Sequence, residues 1–362
     1  MATRYTLPAY SRKRVRRAGE TLRAADPWHV DLPQAMLVID NWRAAHAYPL
    51  NTFQATLRKR LSSLGLNSKS APVGQRLKRL PSIEKKLHRN PQMKLERMQD
   101  IAGLRAVVPK RIHLREIRRL YEQESRLMHH LHGVYDYVAK PKDDGYRSVH
   151  LVYQYLSATS PEYDGLHVEL QLRTQLQHAW ATAVETVDLF TGQAIKTGSP
   201  RPSWAWFFKL ASAAFASLER SPVHEEFKDL NPRELRALLR KSEADLNVIV
   251  LMRGFSVAAD RIHQDSRSNA GYHLVVLDTF RRTLRIKSFT KDELPLAMDR
   301  YAQVERQVAA GAPLDAVLVA GGGINQLRKT YPNYFLDASM FIDVLEALCG
   351  RAGPAGTVFA GQ

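Results

Sequence analysis

The hydrophobic pattern divides the chain into a helical start, a mixed middle, a second helical stretch and a mixed end. Ser11 is placed to cap a short basic helix through Arg23, and "PWHVDLP" (27–33) then breaks the periodicity. "PQAMLVIDNWRAAHAY" (33–48) and "NTFQATLRKRLSSLG" (51–65) carry helical spacing, with Asn51 as cap and Gly65 as stop of the second. "APVGQRLKRL" (71–80) reads as extended, and "PSIEKKLHR" (81–89) as a helix with Pro81 in its first turn. "IAGLRAVVP" (101–109) is apolar and β-branched, which predicts a buried strand. A helix follows over 110–127, then three alternating strands at 133–140, 146–156 and 166–174. A helix from a Thr174 cap runs to 190, and 202–264 is helical, with an Asn231-Pro232 start. Polar "DSRSNAG" (265–271) reads as a linker. Beyond it come strands at 272–278 and 283–288, a helix at 292–309, a strand at 314–319, the loop "GGGIN" and two short helices.

Composition narrows the class. The chain has 362 residues, enough for two domains, and 44% hydrophobic with 25% charged residues describes a globular protein. No apolar run approaches the roughly 20 residues of a membrane helix. The basic N-terminus has no apolar segment behind it, so a secretory signal is not expected and the cytoplasm is the expected compartment. The single cysteine, Cys349, excludes an internal disulfide and a cysteine-cluster zinc site. Net charge is +17, and its placement says more than its size. Residues 1–120 hold 26 of the 53 Lys and Arg but 8 of the 36 Asp and Glu, so all the excess lies in the first third. That asymmetry suits a surface that meets polyanions such as nucleic acid or nucleotides.

Three separated segments carry chemistry. "RMQDIAGLRAVV" places Asp100 just before a strand and Arg105 within it. "KPKDDGYRSVH" supplies Lys140, Lys142, Tyr146, Arg147 and His150, an aromatic ring set among cations in a loop. "HVELQLRT" puts Glu169, Gln171 and Arg173 at spacing two, on one strand face. Upstream, "RLKRLPSIEKK" adds Arg76, Lys78, Arg79, Ser82, Lys85 and Lys86. Two carboxylates suit Mg²⁺, which takes oxygen ligands and substrate phosphates. Lysines and arginines neutralise a polyphosphate, a carboxylate serves as base to an acceptor hydroxyl, and Arg or Tyr stacks on a base. Together these types support phosphoryl or pyrophosphoryl transfer. Singly, each has a plainer role: Asp100 as a helix cap, Glu169 in a strand-surface ion pair, His178 and Trp180 in the core, Tyr153 and Tyr155 in packing. No "GXXXXGK" occurs, which disfavours an ordinary P-loop enzyme.

The order "DIAGLR … KPKDDGYRSVHL … VELQLRTQLQHAWA" closely resembles the RelA/SpoT-type alarmone synthetase domain over about residues 75–185. The resemblance implies an α/β fold, a nucleotidyltransferase-like mixed β-sheet flanked by helices. It also implies transfer of the pyrophosphate of ATP to a ribose 3′-hydroxyl, releasing AMP, with Mg²⁺ as cofactor. In that scheme Asp100 and Glu169 bind Mg²⁺ and Glu169 activates the hydroxyl. Arg79 and Arg105 sandwich adenine; Lys78, Lys86 and Arg147 hold phosphates, and Ser82 joins the ATP set. Tyr146 stacks on the acceptor base, with Lys140, Lys142, His150, Gln171 and Arg173 completing the acceptor pocket. The chain departs from the long members of the family in containing no "HD" dipeptide, and the family's "MH.WA" reads "QHAWA" (177–181).

The added C-terminal segment resembles the toxic small alarmone synthetases fused to their own antitoxin, the CapRel type. There a YXXY motif on a small α+β pseudo-zinc-finger domain without zinc closes the ATP site; here "KTYPNYFLD" supplies Tyr331 and Tyr334. The implied organisation is a synthetase toxin domain over 1–265, an antitoxin domain over 266–350 that acts within the same chain, and a tail over 351–362. The implied acceptor is the 3′-terminal adenosine of tRNA, and the implied trigger is a phage capsid protein. Arg12, Lys13, Arg14, Arg16 and Arg17, with Arg58, Lys59 and Arg60, are the candidates for the RNA backbone. The rival readings are a synthetase of free guanosine or adenosine tetra- and pentaphosphates and a non-catalytic nucleotide sensor. No membrane partner is expected.

Overall fold

The computed structural model describes residues 5–24, 31–123, 128–191, 202–264, 270–278, 280–281, 283–310, 312–320 and 334–350. Packing separates two units: Met1–Tyr137 with Ser148–Thr174, and Val138–Arg147 with Gln175–Gln362.

The first unit opens with helices α1 (Arg12–Ala24), α2 (Leu32–Ala45) and α3 (Ala47–Ser63). In α1 the small and apolar residues Val15, Ala18, Gly19 and Leu22 recur at helical spacing and are buried. Ser11 caps this helix as the spacing predicts, its Oγ accepting from the Arg14 N–H at 3.3 Å. Asn51 is not the cap of α3. That helix already starts at Ala47, with the Leu50 N–H bonded to the His46 carbonyl. Pro49 is tolerated in its first turn, where an N–H would have no partner. Gly65, at φ +73°, ends α3 as expected.

Behind these helices lies a five-stranded mixed sheet of β1 (Val73–Leu77), β2 (Ala102–Val108), β3 (His130–Asp136), β4 (Val149–Gln154) and β5 (His167–Thr174). Its order is β1-β2-β5-β4-β3, with β2 and β5 parallel and the other pairs antiparallel. Helices α4 (Leu80–Arg89) and α5 (Arg111–Gln123) complete the unit. β3 ends at Asp136 rather than reaching 140, because its partner β4 begins opposite, at Val149. Residues 138–147 are thereby left outside the ladder. α3 and α5 cover one sheet face, where Leu104, Ala106, Leu151, Leu170 and Leu172 are buried and Tyr153 packs on Phe53 and Tyr121. The period-two alternation turns Gly103, Arg105, Glu169 and Gln171 to the other face.

The second unit is built from α6 (Gln175–Thr191), α7 (Pro202–Leu218), α8 (Pro232–Leu246) and α9 (Val248–Gln264), followed by a three-stranded antiparallel sheet. The sheet has the order β7 (Thr283–Thr290), β6 (Ala270–Asp278), β8 (Leu314–Ala320), and α10 (Leu294–Ala309) packs on it. Asn231 forms a full capping box with Glu234 at the start of α8. Leu274 and Val276 of β6 pack with Phe289 and Ala297 in a small core of their own. The last helix, α11 (Tyr334–Cys349), does not join that core. Its Phe341, Ile342, Leu345 and Leu348 pack among α6–α9, so the packing does not follow the expected boundary at 265/266. The loop "GGGIN" and the first of the two short helices expected after β8 fall at 321–333, outside the described residues.

Candidate nucleotide-transfer site

Strand register assembles the first cluster. β2 and β5 run parallel with Gly103 beside Glu169 and Arg105 beside Gln171, and β4 sets His150 across from Gln171. The Glu169 carboxylate accepts hydrogen bonds from His150 Nδ1 at 2.9 Å and from Gln171 Nε2 at 2.7 Å. Arg173, two residues on, donates to Gln171 Oε1 at 3.3 Å. One row of alternating residues thus forms a hydrogen-bonded chain. Burial and the charge of Asp100 push the Glu169 pKa up, but the His150 and Gln171 bonds outweigh them and hold it below its ordinary value.

Asp100 stands just before β2, and both of its oxygens are engaged. Lys78 Nζ, after β1, lies 2.7 Å from Oδ2, and Lys86 Nζ, on α4, lies 2.9 Å from Oδ1. Burial alone raises the Asp100 pKa, and the two ammonium groups more than reverse that. Burial also holds Lys78 below its ordinary value, despite the opposing pull of Asp100. Both carboxylates are therefore ionised, and Glu169 senses the charge of Asp100. Two ionised oxygen donors close enough to repel each other fit a hard divalent cation that fills its shell with water and phosphate. Among the described residues no group of three or more His, Cys, Asp or Glu side chains is arranged to hold a metal on its own.

The other residues expected to bind ATP lie on or beside α4, β1 and β2. Arg79 precedes α4 and its carbonyl accepts from the Ser82 N–H at 3.0 Å, while Ser82 and Lys85 are exposed on that helix. Arg76 is exposed on β1. Arg105 lies half-buried on the polar face, its guanidinium over Gly74, where a Cβ would come within 3.7 Å.

The loop 138–147, expected to bind the acceptor, belongs to the second unit. Lys140 and Lys142 are exposed, Lys142 sits 5.2 Å from the Tyr146 ring centre, and Tyr146 is half-buried against the helical core. Arg147, expected at a phosphate, is buried. Its side chain is 3% exposed, with Nη1 3.4 Å from Glu219 Oε2 and Nη2 3.4 Å from the Pro222 carbonyl. The same Glu219 oxygen accepts from Gln177 Nε2 at 3.1 Å. Glu219 and Ser212, which holds the loop at Gly145, went unnoticed in the sequence. They lie some 70 residues away, in and just after an apolar helix, with no local signature of a role in this loop.

The basic N-terminal residues divide. Lys13, Arg17, Arg58 and Lys59 are exposed. Arg12 donates to the Gly165 carbonyl at 2.8 Å, Arg14 lies over the Tyr10 ring, and Arg16 pairs with Glu96 at 2.7 Å. Arg60 is no surface cation: it is buried, its guanidinium 4.1 Å from the Tyr121 ring centre. Tyr331 lies outside the described residues, as does the side chain of Tyr334 at the start of α11.

Residues 75–187 match the family described as "Region found in RelA / SpoT proteins". The span includes both carboxylates, their lysines and the acceptor loop, and ends inside α6. The chain is 34% identical over 121 residues to the GTP pyrophosphokinase YjbM of Bacillus subtilis (strain 168), covering 30% of this chain and 52% of that one. It thus spans about half the length of the curated relative it matches. Among solved structures, small alarmone synthetase 1 of Bacillus subtilis aligns with a TM-score of 0.41 and 24% identity, covering 50% of this chain and 92% of that one. Its complex with the product pppGpp gives 0.41 and 26%, over 52% and 94%. A GTP pyrophosphokinase family protein of Streptococcus pneumoniae gives 0.38 and 22%, over 49% and 86%. Among the described residues no helix is long and apolar enough to cross a membrane. Residues 75–187 are therefore a RelA/SpoT region, homologous to part of a GTP pyrophosphokinase and carried in a chain that extends well past it on both sides.

Proposed function

We propose that this chain is an ATP-dependent pyrophosphotransferase acting on a ribose 3′-hydroxyl. The observation that carries the reading is the Asp100–Glu169 pair, two ionised carboxylates within electrostatic reach of each other, with Lys78 and Lys86 bonded to Asp100. Asp100 and Glu169 would hold Mg²⁺, which would supply neutralisation of phosphate charge. Lys78 and Lys86 exchange Asp100 for the β- and γ-phosphates, so substrate charge replaces an internal ion pair. Glu169, kept ionised by its bonds from His150 and Gln171, accepts the hydroxyl proton. The acceptor oxygen bonds to the β-phosphorus, the α–β bridge breaks, and AMP leaves with the bridging oxygen. Arg79 and Arg105 hold adenine, and Tyr146 stacks on the acceptor base with Lys140 and Lys142 beside it.

The acceptor in this reading is the 3′ end of tRNA. Its support is the charge excess of residues 1–120 and the exposed Lys13, Arg17, Arg58 and Lys59, more cations than one nucleotide requires. A free guanosine nucleotide is the second reading, favoured by the name of the similar protein, a GTP pyrophosphokinase. Restraint by the segment that carries Tyr331 and Tyr334, relieved by a phage capsid protein, is the outermost part of the proposal and rests on the sequence resemblance alone.

The test is label transfer from γ-³²P-ATP with Mg²⁺, bulk tRNA and a GDP/GTP mixture. Wild type, Tyr331→Ala and Glu169→Gln are compared. Label on tRNA with Tyr331→Ala and none with Glu169→Gln supports the full reading. Label on guanosine nucleotides moves the acceptor to the second reading, and label on neither, in any form of the enzyme, rejects pyrophosphate transfer.

A further inference from the structure

The loop 138–147 carries Tyr146. It is tied to α7 and the residues that follow. Ser212 Oγ, on α7, donates to the Gly145 carbonyl at 2.5 Å. Gly145 itself has φ +89°, and a Cβ there would stand 3.1 Å from Ser212 Cβ and 3.2 Å from Lys209 Cα, so loop and helix are in backbone contact. Two residues on, Arg147 reaches Glu219 and the Pro222 carbonyl.

The Arg147–Glu219 pair is the charged one of these ties. The two side chains are 3% and 7% exposed, and Gln177 of α6 donates to the same carboxylate oxygen. Glu219 directly follows α7, where the helix's C-terminal carbonyls add negative potential around the guanidinium. Removing one partner of such a pair leaves the other's charge buried with one partner fewer, which weakens the hold on the loop. Ser212, Glu219 and Pro222 all lie beyond residue 187, where the family match ends.

We infer that Glu219 is a positioning residue for acceptor recognition: through Arg147 it fixes the loop that presents Tyr146, without touching substrate itself. The inference rests on the proposed role of Tyr146 as the ring that stacks on the acceptor base. It assigns to α7 and the residues after it a share in selecting the acceptor, and it takes Arg147 out of the phosphate-binding set.

The experiment compares wild type with Glu219→Ala, Glu219→Asp, Ser212→Ala and, as control, Glu225→Ala at an exposed pair with Lys228. Amide hydrogen exchange of peptides covering 138–147 is measured alongside KM for ATP and for tRNA or GTP, whichever takes the label. Glu219→Ala is expected to speed exchange in the loop about tenfold while peptides of β2 and β5 hold their rates. It is expected to raise the acceptor KM about tenfold and leave the ATP KM within about twofold. Glu219→Asp should recover part of both effects, and Ser212→Ala should reproduce them more weakly. Unchanged loop exchange in both Glu219→Ala and Ser212→Ala overturns the inference, as does a rise in the ATP KM with the acceptor KM unmoved. If Glu219→Ala does not fold, Ser212→Ala decides. If no form transfers label, the proposed reaction has failed, and loop exchange alone decides whether Glu219 is the anchor.

Discussion

His46 gives the first unit a built-in acid limit that can be measured. It sits between α2 and α3, 1% exposed, with Nδ1 2.7 Å from the Trp42 carbonyl and its ring edge-on to the Trp42 indole at 5.0 Å. Burial first, and then the charges of His167 and Arg12, push its pKa down to about 4, against the opposing pull of the Trp42 carbonyl. In the unfolded chain it returns to its ordinary 6.5. The unfolded state therefore binds the proton more readily, and stability is lost as pH falls from 6.5 toward 4. The difference between these two values costs roughly 2 kcal/mol at pH 5 relative to pH 7.5, and roughly 3 kcal/mol well below pH 4. The perturbation is His46→Phe, which keeps a ring beside Trp42 and removes the titration. The assay is urea unfolding at pH 7.5 and pH 5, followed by far-UV circular dichroism. His167, also pushed down to about 4, adds its own slope in both proteins. The quantity of interest is thus the wild-type loss minus the loss in His46→Phe. A difference near 2 kcal/mol is expected, and equal losses in the two proteins refute the reasoning.

The other predictions concern the site and its supports. Asp100→Asn should lower label transfer by at least ~10²-fold, because one of the two charged oxygen ligands is gone, with the far-UV circular dichroism spectrum retained. Gly145→Ala should destabilise by roughly 1–3 kcal/mol in thermal or urea unfolding, since its φ of +89° and the Ser212 and Lys209 contacts leave no room for a methyl group. Lys13→Glu with Arg17→Glu should reduce the salt dependence of tRNA binding by a slope of about 2, as both side chains are exposed on α1. Arg60→Ala should do the reverse. It should leave the tRNA salt slope unchanged and cost about 1–2 kcal/mol of stability, because the guanidinium packs on Tyr121.

Local features carried much of the architecture. Ser11, Gly65 and Asn231 mark helix ends through bonds or backbone angles that depend on a few adjacent residues, and each acts where its chemistry predicts. The apolar β2 and the alternation of β5 follow from side chains pointing to opposite faces, so Glu169, Gln171 and Arg173 could be placed on one face from spacing alone. Asn51 shows the limit of that reading: a good capping residue is also tolerated inside a helix, and Pro49 upstream let α3 begin a turn earlier.

What the linear order could not decide was pairing at a distance. Lys78 and Lys86 as partners of Asp100, and His150 as partner of Glu169, depend on how β1, α4, β4 and β5 come together. The same holds for Arg60, whose charge alone reads as surface and whose burial depends on an aromatic ring 61 positions away. It holds most clearly for Arg147, whose carboxylate partner lies 72 positions away, just past α7. Composition, caps and strand alternation are set by neighbours in the chain. Which charge meets which is set by packing, because burial gives an ion pair its strength and only the folded chain determines what is buried.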